Sequence, residues 1–376
     1  MEKRKVLLID YRGSEISAEI PFLFRKAGYE VYVFCFPFSW LTKNSYYSQK
    51  ICKNFQDKDD FLSSLKCEID RICPDLVVPC DDTTLRLLNE NLEKFSLPQS
   101  VLPLSSLAHR NIIGSKIGLA EALLETDILQ PDFLVLSVKE KIEKDSFGLS
   151  FPVLIKLDES SGGKGVYYAG SFEELEKKVN DLKKNHASML LQEYIQGDNI
   201  AVECLFREGK LLTFSYSKVI ETVGGEFGVS TKRLYLNLPC IEETLLEIGE
   251  KMFLHGFASM TFIKEDKTEK HFLVEIDTRP QAWFRIAKKA GVDFVLPLKH
   301  FFNTHEVGME KMFTKEPVTL FHFRRSFFEA LRNRKISEIL SWVLGREGRW
   351  SSIPFYDPKL LLWTFASILK LCLRKD

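Results

Sequence analysis

The order of apolar runs near the N-terminus constrains this chain most. "KVLLID" (5–10) is a short apolar run, "SAEIPFLFRKAG" (17–28) is a helical segment closed by Gly28, and "YEVYVFCF" (29–36) is a second apolar run. Short apolar runs separated by a helix-length segment read as strand, helix, strand. The unit repeats: "DFLSSLKCEIDRIC" (60–73) has helical spacing, "PDLVVPCDD" (74–82) is a buried strand ending in two aspartates, and "TTLRLLNENLEKF" (83–95) is again helical. This alternation predicts a doubly wound parallel sheet over residues 1–108. No GxGxxG follows the first strand, so a dinucleotide site, and with it a Rossmann-type oxidoreductase, is not supported. Asp81 and Asp82 stand where a strand runs into a helix, a position that serves either as a ligand edge or as a helix cap.

The pattern then changes. Ser115 is an N-cap candidate for "KIGLAEALL", and "LQPDFLVL" (129–136) turns extended. "FPVLIKL" (151–157), a glycine cluster, "VYYAGS" (166–171), a helical "FEELEKKVNDLKKN" and "SMLLQEYI" (188–195) come next. "NIAVECLFREGKLLTFSYSKVI" (199–220) alternates like a hairpin turning at Glu208 and Gly209, and "ASMTFIKEDKTEKHFLVEID" (258–277) reads as another hairpin. The expectation is a mixed α+β unit over 109–310, its subdomain at about 130–192, beside the α/β one.

Lys+Arg and Asp+Glu both total 52, so there is no global basic field to hold a nucleic-acid backbone. The first apolar run is broken by Asp10 after four residues, too soon for a signal-peptide core, and eight scattered cysteines lack CxxC pairs or zinc spacing. Reduced thiols and a cytoplasmic location are expected. Residues 311–376 carry 13 basic and 6 acidic residues, net +7, which leaves −7 for the remainder. This basic, aromatic stretch is expected to be a separate C-terminal module. Its end, "LLLWTFASILKLCL", is too short to span a bilayer and reads either as a helix packed on the body or as a peripheral membrane contact.

"SSGGKGV" (160–166) is not a Walker loop, because no Ser or Thr comes after Lys164 and the segment leads into "VYYAG", which is extended. It joins two antiparallel strands, with Gly162, Gly163 and Gly165 permitting close approach to a ligand and Lys164 supplying a mobile charge. Alone it could equally be a plain hairpin turn. Lys156 is an unusual charge in an apolar run, and Lys116 lies 40 residues earlier; both could reach the same phosphates. "FLVEIDTRP" (272–280) ends a strand with Glu275, Asp277 and Arg279, whose i, i+2, i+4 spacing puts all three on one face. Two carboxylates and a guanidinium there suit a magnesium ion that keeps phosphate oxygens as further ligands; an internal salt bridge is the plain alternative.

"FPVLIKLDESSGGKGV", "LLQEYIQGD", "GFASMTFI" and "FLVEIDTRPQAWFRIAKKAGVDF" occur in an order and at spacings that resemble ATP-grasp enzymes. The likeness is to the branch of carbamoyl-phosphate synthetase and biotin carboxylase and to its carboxylate–amine ligases. It implies an ATP-grasp architecture in which ATP lies between two antiparallel sheets under the glycine loop. By resemblance, Lys116 and Lys156 contact the α- and β-phosphates, and Lys164 sits on the lid. Gln192 meets the adenine amino group, Glu193 and Ile195 offer backbone contacts, and Asp198 meets the ribose, with a register shift of one or two changing that residue. Glu275 and Asp277 match the family's metal pair, with Asp where the family normally has Asn, and Arg279 matches the arginine beyond it. The acidic ligand usual on the preceding strand aligns with Thr261; Glu265 and Asp266 are nearby but look like turn residues.

The implied reaction is activation of a carboxylate by ATP as an acyl phosphate, with magnesium (or manganese) and attack by an amine, giving ADP and phosphate. Lys218, Lys232 and Arg233 around Gly224 and Gly225 are the candidate acceptor cations, against a solvated hairpin. Trp283 and Phe284 are either pocket wall or core. "GRWSSIPFYDPK" (348–359) resembles a Trp and Asp-Pro segment of ATP-grasp ligases. Small-molecule partners and a homodimer are compatible with this reading. The rival readings are an ATP-grasp carboxylase working through carboxyphosphate and a nucleotide-binding module without catalysis.

Overall fold

The computed structural model describes residues 3–98, 101, 103–104, 106–140, 142–144, 147–158, 160, 162–236, 241–302 and 316–373. The N-terminal apolar runs form β1 (Lys5–Asp10), β2 (Glu30–Cys35), β3 (Gln49–Cys52) and β4 (Leu76–Pro79), in the order β3-β2-β1-β4. Every neighbour pair is parallel, as the alternation predicts. Helices α1 (Ile20–Lys26), α2 (Lys58–Ile72) and α3 (Asp82–Asn91) cover it. Side-chain caps fix where helices begin: Asp57 accepts from Asp60 N and Asp81 from Thr84 N. Ser115 likewise caps α4 (Lys116–Leu123) through Gly118 N.

A second, antiparallel sheet holds β5 (Phe133–Ser137), β6 (Val153–Leu157), β7 (Val166–Ala169) and β8 (Ser188–Glu193), ordered β5-β8-β6-β7 and backed by α5 (Phe172–Leu182). Its period of two is plain: Val153, Ile155 and Leu157 join the core under α5, while Leu154 and Lys156 point the other way.

The third sheet is the frame of the molecule. It contains β9 (Gly197–Arg207), β10 (Lys210–Val223), β11 (Val229–Leu236), β12 (Gly256–Glu265), β13 (His271–Asp277) and β14 (Val318–Phe321), all antiparallel, in the order β13-β12-β9-β10-β11-β14. The β9–β10 hairpin turns at Glu208 (φ 51°) and Gly209 (φ 81°), a pair of left-handed residues that matches the twist of the strands. One face presents Ile200, Val202, Phe214, Tyr216, Met260 and Phe262 to a core shared with α4 and with α6 (Glu242–Met252). The other presents small or polar residues, among them Ala201, Glu203, Ser259 and Thr261, and this second face lines the cleft described below.

Helices α7 (Trp283–Ile286), α8 (Val295–Lys299), α9 (Phe323–Arg332), α10 (Ile336–Val343) and α11 (Pro358–Leu373) complete the chain. The boundary expected at 310/311 falls outside the described residues. The C-terminal stretch is not a detached module: β14 pairs with β11, adding a sixth strand to the central sheet. Phe321, Phe323, Trp342 and Ile368 then join α9, α10 and α11 in one small core. Asp357 ties this part to the N-terminal domain, accepting from Ser45 N at 2.7 Å and Ser45 Oγ at 3.0 Å while it also accepts from Lys359 N and Leu360 N at the start of α11. The Asp-Pro segment therefore works as a cap and a strut. Seven cysteines are free thiols in the structure; the eighth, Cys240, lies outside the described residues.

Candidate active site

A cleft of about 480 Å³ opens where the parallel sheet, the glycine loop and the central sheet meet. Its floor is the end of β13. Glu275, Asp277 and Arg279 all line it, with Ile276 and Thr278 between them. Arg279 is held on both sides: its Nε and Nη2 donate to the two oxygens of Asp82, at 2.5 and 2.9 Å, and Nη2 also lies 2.9 Å from Asp277 Oδ2. Arg279 Nη1 is buried in the cleft lining without a partner. Burial drives the Asp277 carboxyl up to about 8, with Asp82 and Glu275 adding to the rise and Arg279 opposing it. A carboxyl held near 8 is mostly protonated at neutral pH, and a cation bound there would displace that proton.

That donor set fits a magnesium ion that brings its own phosphate ligands. Glu275 and Asp277 would hold it, since magnesium is commonly bound through one or two carboxylates and keeps water or phosphate oxygens elsewhere. Thr261 lies directly across from Glu275 in the β12–β13 register and faces the cleft. Glu265 and Asp266 do not replace the missing acid. Glu265 pairs with Gly197 at the far end of β12 and accepts from Thr268 Oγ1, while Asp266 N donates to Gln196 O in the turn. Among the described residues no group of three acidic, histidine or cysteine side chains converges on one point.

The glycine loop closes the cleft from above. Gly162 and Gly163 adopt φ of 63° and 76°, and a Cβ on Gly163 would sit 2.0 Å from Phe227 O, so the loop rests on the β10–β11 turn only because there is no side chain. Lys116 Nζ donates to Ser160 O at 2.6 Å, and Asp158 accepts from Ser115 Oγ and Ile117 N, which latches the start of α4 to the loop. Lys164 is exposed and does not line the cleft.

Lys156 projects from β6 on the face opposite the α5 core and is buried, donating to Gln192 Oε1 at 2.5 Å. Burial brings its ammonium down to about 8, with Lys116 contributing to the fall and Glu275 resisting it. Lys156, Lys116 and Glu275 are therefore within electrostatic reach of one another. Glu193 accepts from Ser150 N at 2.6 Å, and its backbone N donates to Asp132 O; none of Lys156, Gln192, Glu193 and Ile195 is among the residues that line the cleft.

Other expected residues fall elsewhere, for a simple reason of strand parity. Asp198 and Lys218 pair with each other at 2.6 Å outside the cleft, while the neighbouring Asn199 lines it with a buried Oδ1 that lacks a partner. Lys232 turns towards Phe321, Glu221 and Glu347; Arg233, one residue on, lines the cleft and pairs with the fully buried Glu203 at 2.5 Å. Trp283 and Phe284 are core, Trp283 lying under the Arg233 guanidinium at 4.2 Å.

Arg12, Thr83, Arg86 and Arg325 also line the cleft without having stood out in the sequence, whereas Asp82 was a ligand-edge candidate there. The carboxyl ends of β1 and β4 deliver Arg12, Asp82 and Thr83 to the cleft, at the point where the strand order reverses, a usual ligand position in such sheets. Asp81 caps α3, so the paired aspartates divide the two roles between them. Arg86 enters from α3 and Arg325 from α9. Arg325 had no signal beyond its charge, because only the return of the chain through β14 brings it here.

The two antiparallel sheets, the glycine loop between them and the acidic strand end define the ATP-grasp fold. Residues 115–219 match the RimK-like ATP-grasp domain. Among solved structures, the chain is similar to L-amino acid ligase from Bacillus licheniformis, at 17% identity and a TM-score of 0.60, over 80% of this chain and 74% of that one. N5-carboxyaminoimidazole synthetase from Staphylococcus aureus, complexed with ADP, is 14% identical with a TM-score of 0.66, over 90% of this chain and 87% of that one. D-alanine–D-alanine ligase from Bacillus anthracis, complexed with ATP, is 15% identical with a TM-score of 0.54, over 79% of this chain and 95% of that one. At these identities the likeness is one of fold. A sequence search among curated proteins gave no match.

Proposed function

We propose that the protein is an ATP-dependent carboxylate–amine ligase. The observation that carries this reading is the convergence of Glu275, Asp277 and Arg279 with Lys116 and the glycine loop on one cleft. In this reading ATP lies with its triphosphate beneath Gly162 and Gly163, contacted by Lys116 and Lys156, and its adenine towards Gln192, Glu193 and Ile195. Asn199 is better oriented towards a ribose than Asp198, which Lys218 already occupies.

The substrate carboxylate attacks the γ-phosphorus and ADP departs, leaving an acyl phosphate. The amine then attacks the acyl carbon, the C–O bond to phosphate breaks, and the amine's proton is lost as the amide forms. Magnesium or manganese on Glu275 and Asp277 would supply neutralising charge to the phosphate oxygens. Arg279, fixed by Asp82 and Asp277, holds its guanidinium beside the group in transfer. Arg12 and Arg86, at the mouth formed by the parallel sheet, receive the anionic end of the acceptor. The reading places the enzyme in the cytoplasm, as a monomer or homodimer.

The test is magnesium-dependent ADP release by the purified protein with pooled amino acids and small carboxylates, beside a Glu275→Gln control. Release that requires a pool and is lost in the control supports the ligase. Thr261 beside Glu275 favours one competing reading, a nucleotide binder without turnover; MgATP binding with no ADP release in any pool, bicarbonate included, would select it.

A further inference from the structure

We propose that α10 and α11 form a docking surface for an anionic phospholipid bilayer. Both helices pack on α9, where Phe323 meets Trp342 and Phe365; α10 also packs on Arg346–Ser352, and α11 touches the N-terminal domain through Lys359 and Trp363. Their other sides are apolar and open to solvent. On α10, Ile336, Leu340 and Val343 are 70, 50 and 61% exposed; on α11, Leu362, Leu369 and Leu373 are 72, 63 and 80% exposed. The spacings of four, three, seven and four residues keep each set on one helical face. Packing within the chain leaves these faces uncovered.

Charge decides what covers them. The exposed Arg334 and Lys335 lie immediately before Ile336, and the exposed Lys370 lies beside Leu369. Residues 358–373 contain no acid, and Glu338 of α10 is neutralised by Arg349 at 2.6 Å. A two-fold contact between copies would oppose these like charges across the interface. An anionic bilayer matches them and takes up the apolar faces at the same time. No described helix is long and apolar enough to cross a membrane, so the helices lie on the surface. Because α9 also carries Arg325 into the cleft, the docked face and the site are separated by a single helix.

Vesicle co-sedimentation of the full chain, without nucleotide, tests this independently of the proposed reaction. Binding to vesicles of equal parts phosphatidylglycerol and phosphatidylcholine is expected, weakened by salt and at least about tenfold weaker on pure phosphatidylcholine. Leu362→Glu with Leu369→Glu should reduce it by about tenfold or more, with an unchanged melting temperature as the control for folding. Arg334→Gln with Lys335→Gln should lower it by about tenfold on the anionic vesicles alone. The proposal is overturned if the wild type fails to bind, or if the Leu→Glu pair binds as well as the wild type. A concentration-dependent dimer, lost in the Leu→Glu pair and without vesicle binding, would give the face to a second copy instead.

Discussion

Lys232 and Arg233 are neighbours on β11 with opposite fates. Lys232 lies at the rim, pairing with Glu221 at 3.3 Å and Glu347 at 3.9 Å; Arg233 is buried in the cleft wall on Glu203, itself inaccessible to solvent. On β9, Asp198 and Asn199 divide in the same way. A strand sends successive side chains to opposite faces, so two adjacent polar residues seldom serve one site. Around the cleft the central sheet applies this, with large apolar residues on one side and small or charged ones on the other, while farther along the cleft-side face Leu205, Phe257 and Tyr235 enter a second core. Breaking a polar pair should therefore cost activity on the cleft face, and little on the rim.

The largest expected effect is on Arg279. Arg279→Met should lower ADP release by roughly 10³-fold with substrate, because a guanidinium on the transferred phosphoryl group cannot be replaced by an apolar chain. Glu203→Leu tests the buried half of the comparison through stability. Leaving Arg233 charged and unpaired in the sheet should cost about 3–5 kcal/mol in urea unfolding. Asp82→Ala removes two of the bonds that fix Arg279; steady-state kinetics should show a loss of about ten- to a hundredfold, with the fold retained.

Lys156 gives a pH test. Its pKa is lowered to about 8 in the free protein, so its charge is present below that pH and lost above it. Phosphate favours the charged form and raises the pKa on binding. Affinity for metal-free nucleotide should accordingly fall as pH rises past about 8, and Lys156→Arg should weaken that dependence, the remainder belonging to Asp277, whose carboxyl loses its proton over the same range. The smallest effect belongs to the rim. Lys218→Ala should change stability by less than about 1 kcal/mol and leave nucleotide affinity within about twofold, since its partner Asp198 is 40% exposed and salt-screened.

The frame was legible because its signals are local: period-two alternation, helix-length segments and capping residues within a few positions of one another. Glu275, Asp277 and Arg279 could be placed on one face for the same reason. Bulges in β10 shift the register between Val219 and Thr222, which local spacing around "SKVIETVGG" does not reveal; of the three acceptor cations expected there, Arg233 lines the cleft and Lys218 and Lys232 do not. Glu203 carried the same signal as Lys156, a charge inside an apolar run, but only its cross-strand partner Arg233 makes it intelligible. Arg12, Arg86 and Arg325 reach the cleft through tertiary arrangement. The link from Arg279 to Asp82 spans 197 residues, and no short-range pattern encodes it.

Calorimetric titration of MgATP into the wild type and into Lys156→Met and Glu275→Gln tests the central claim most directly, that the cleft between the sheets holds the triphosphate. One site per chain is expected, with affinity at least about tenfold weaker in each variant and unchanged in Lys218→Ala. Equal affinity in all four proteins, or no binding by the wild type, would contradict it.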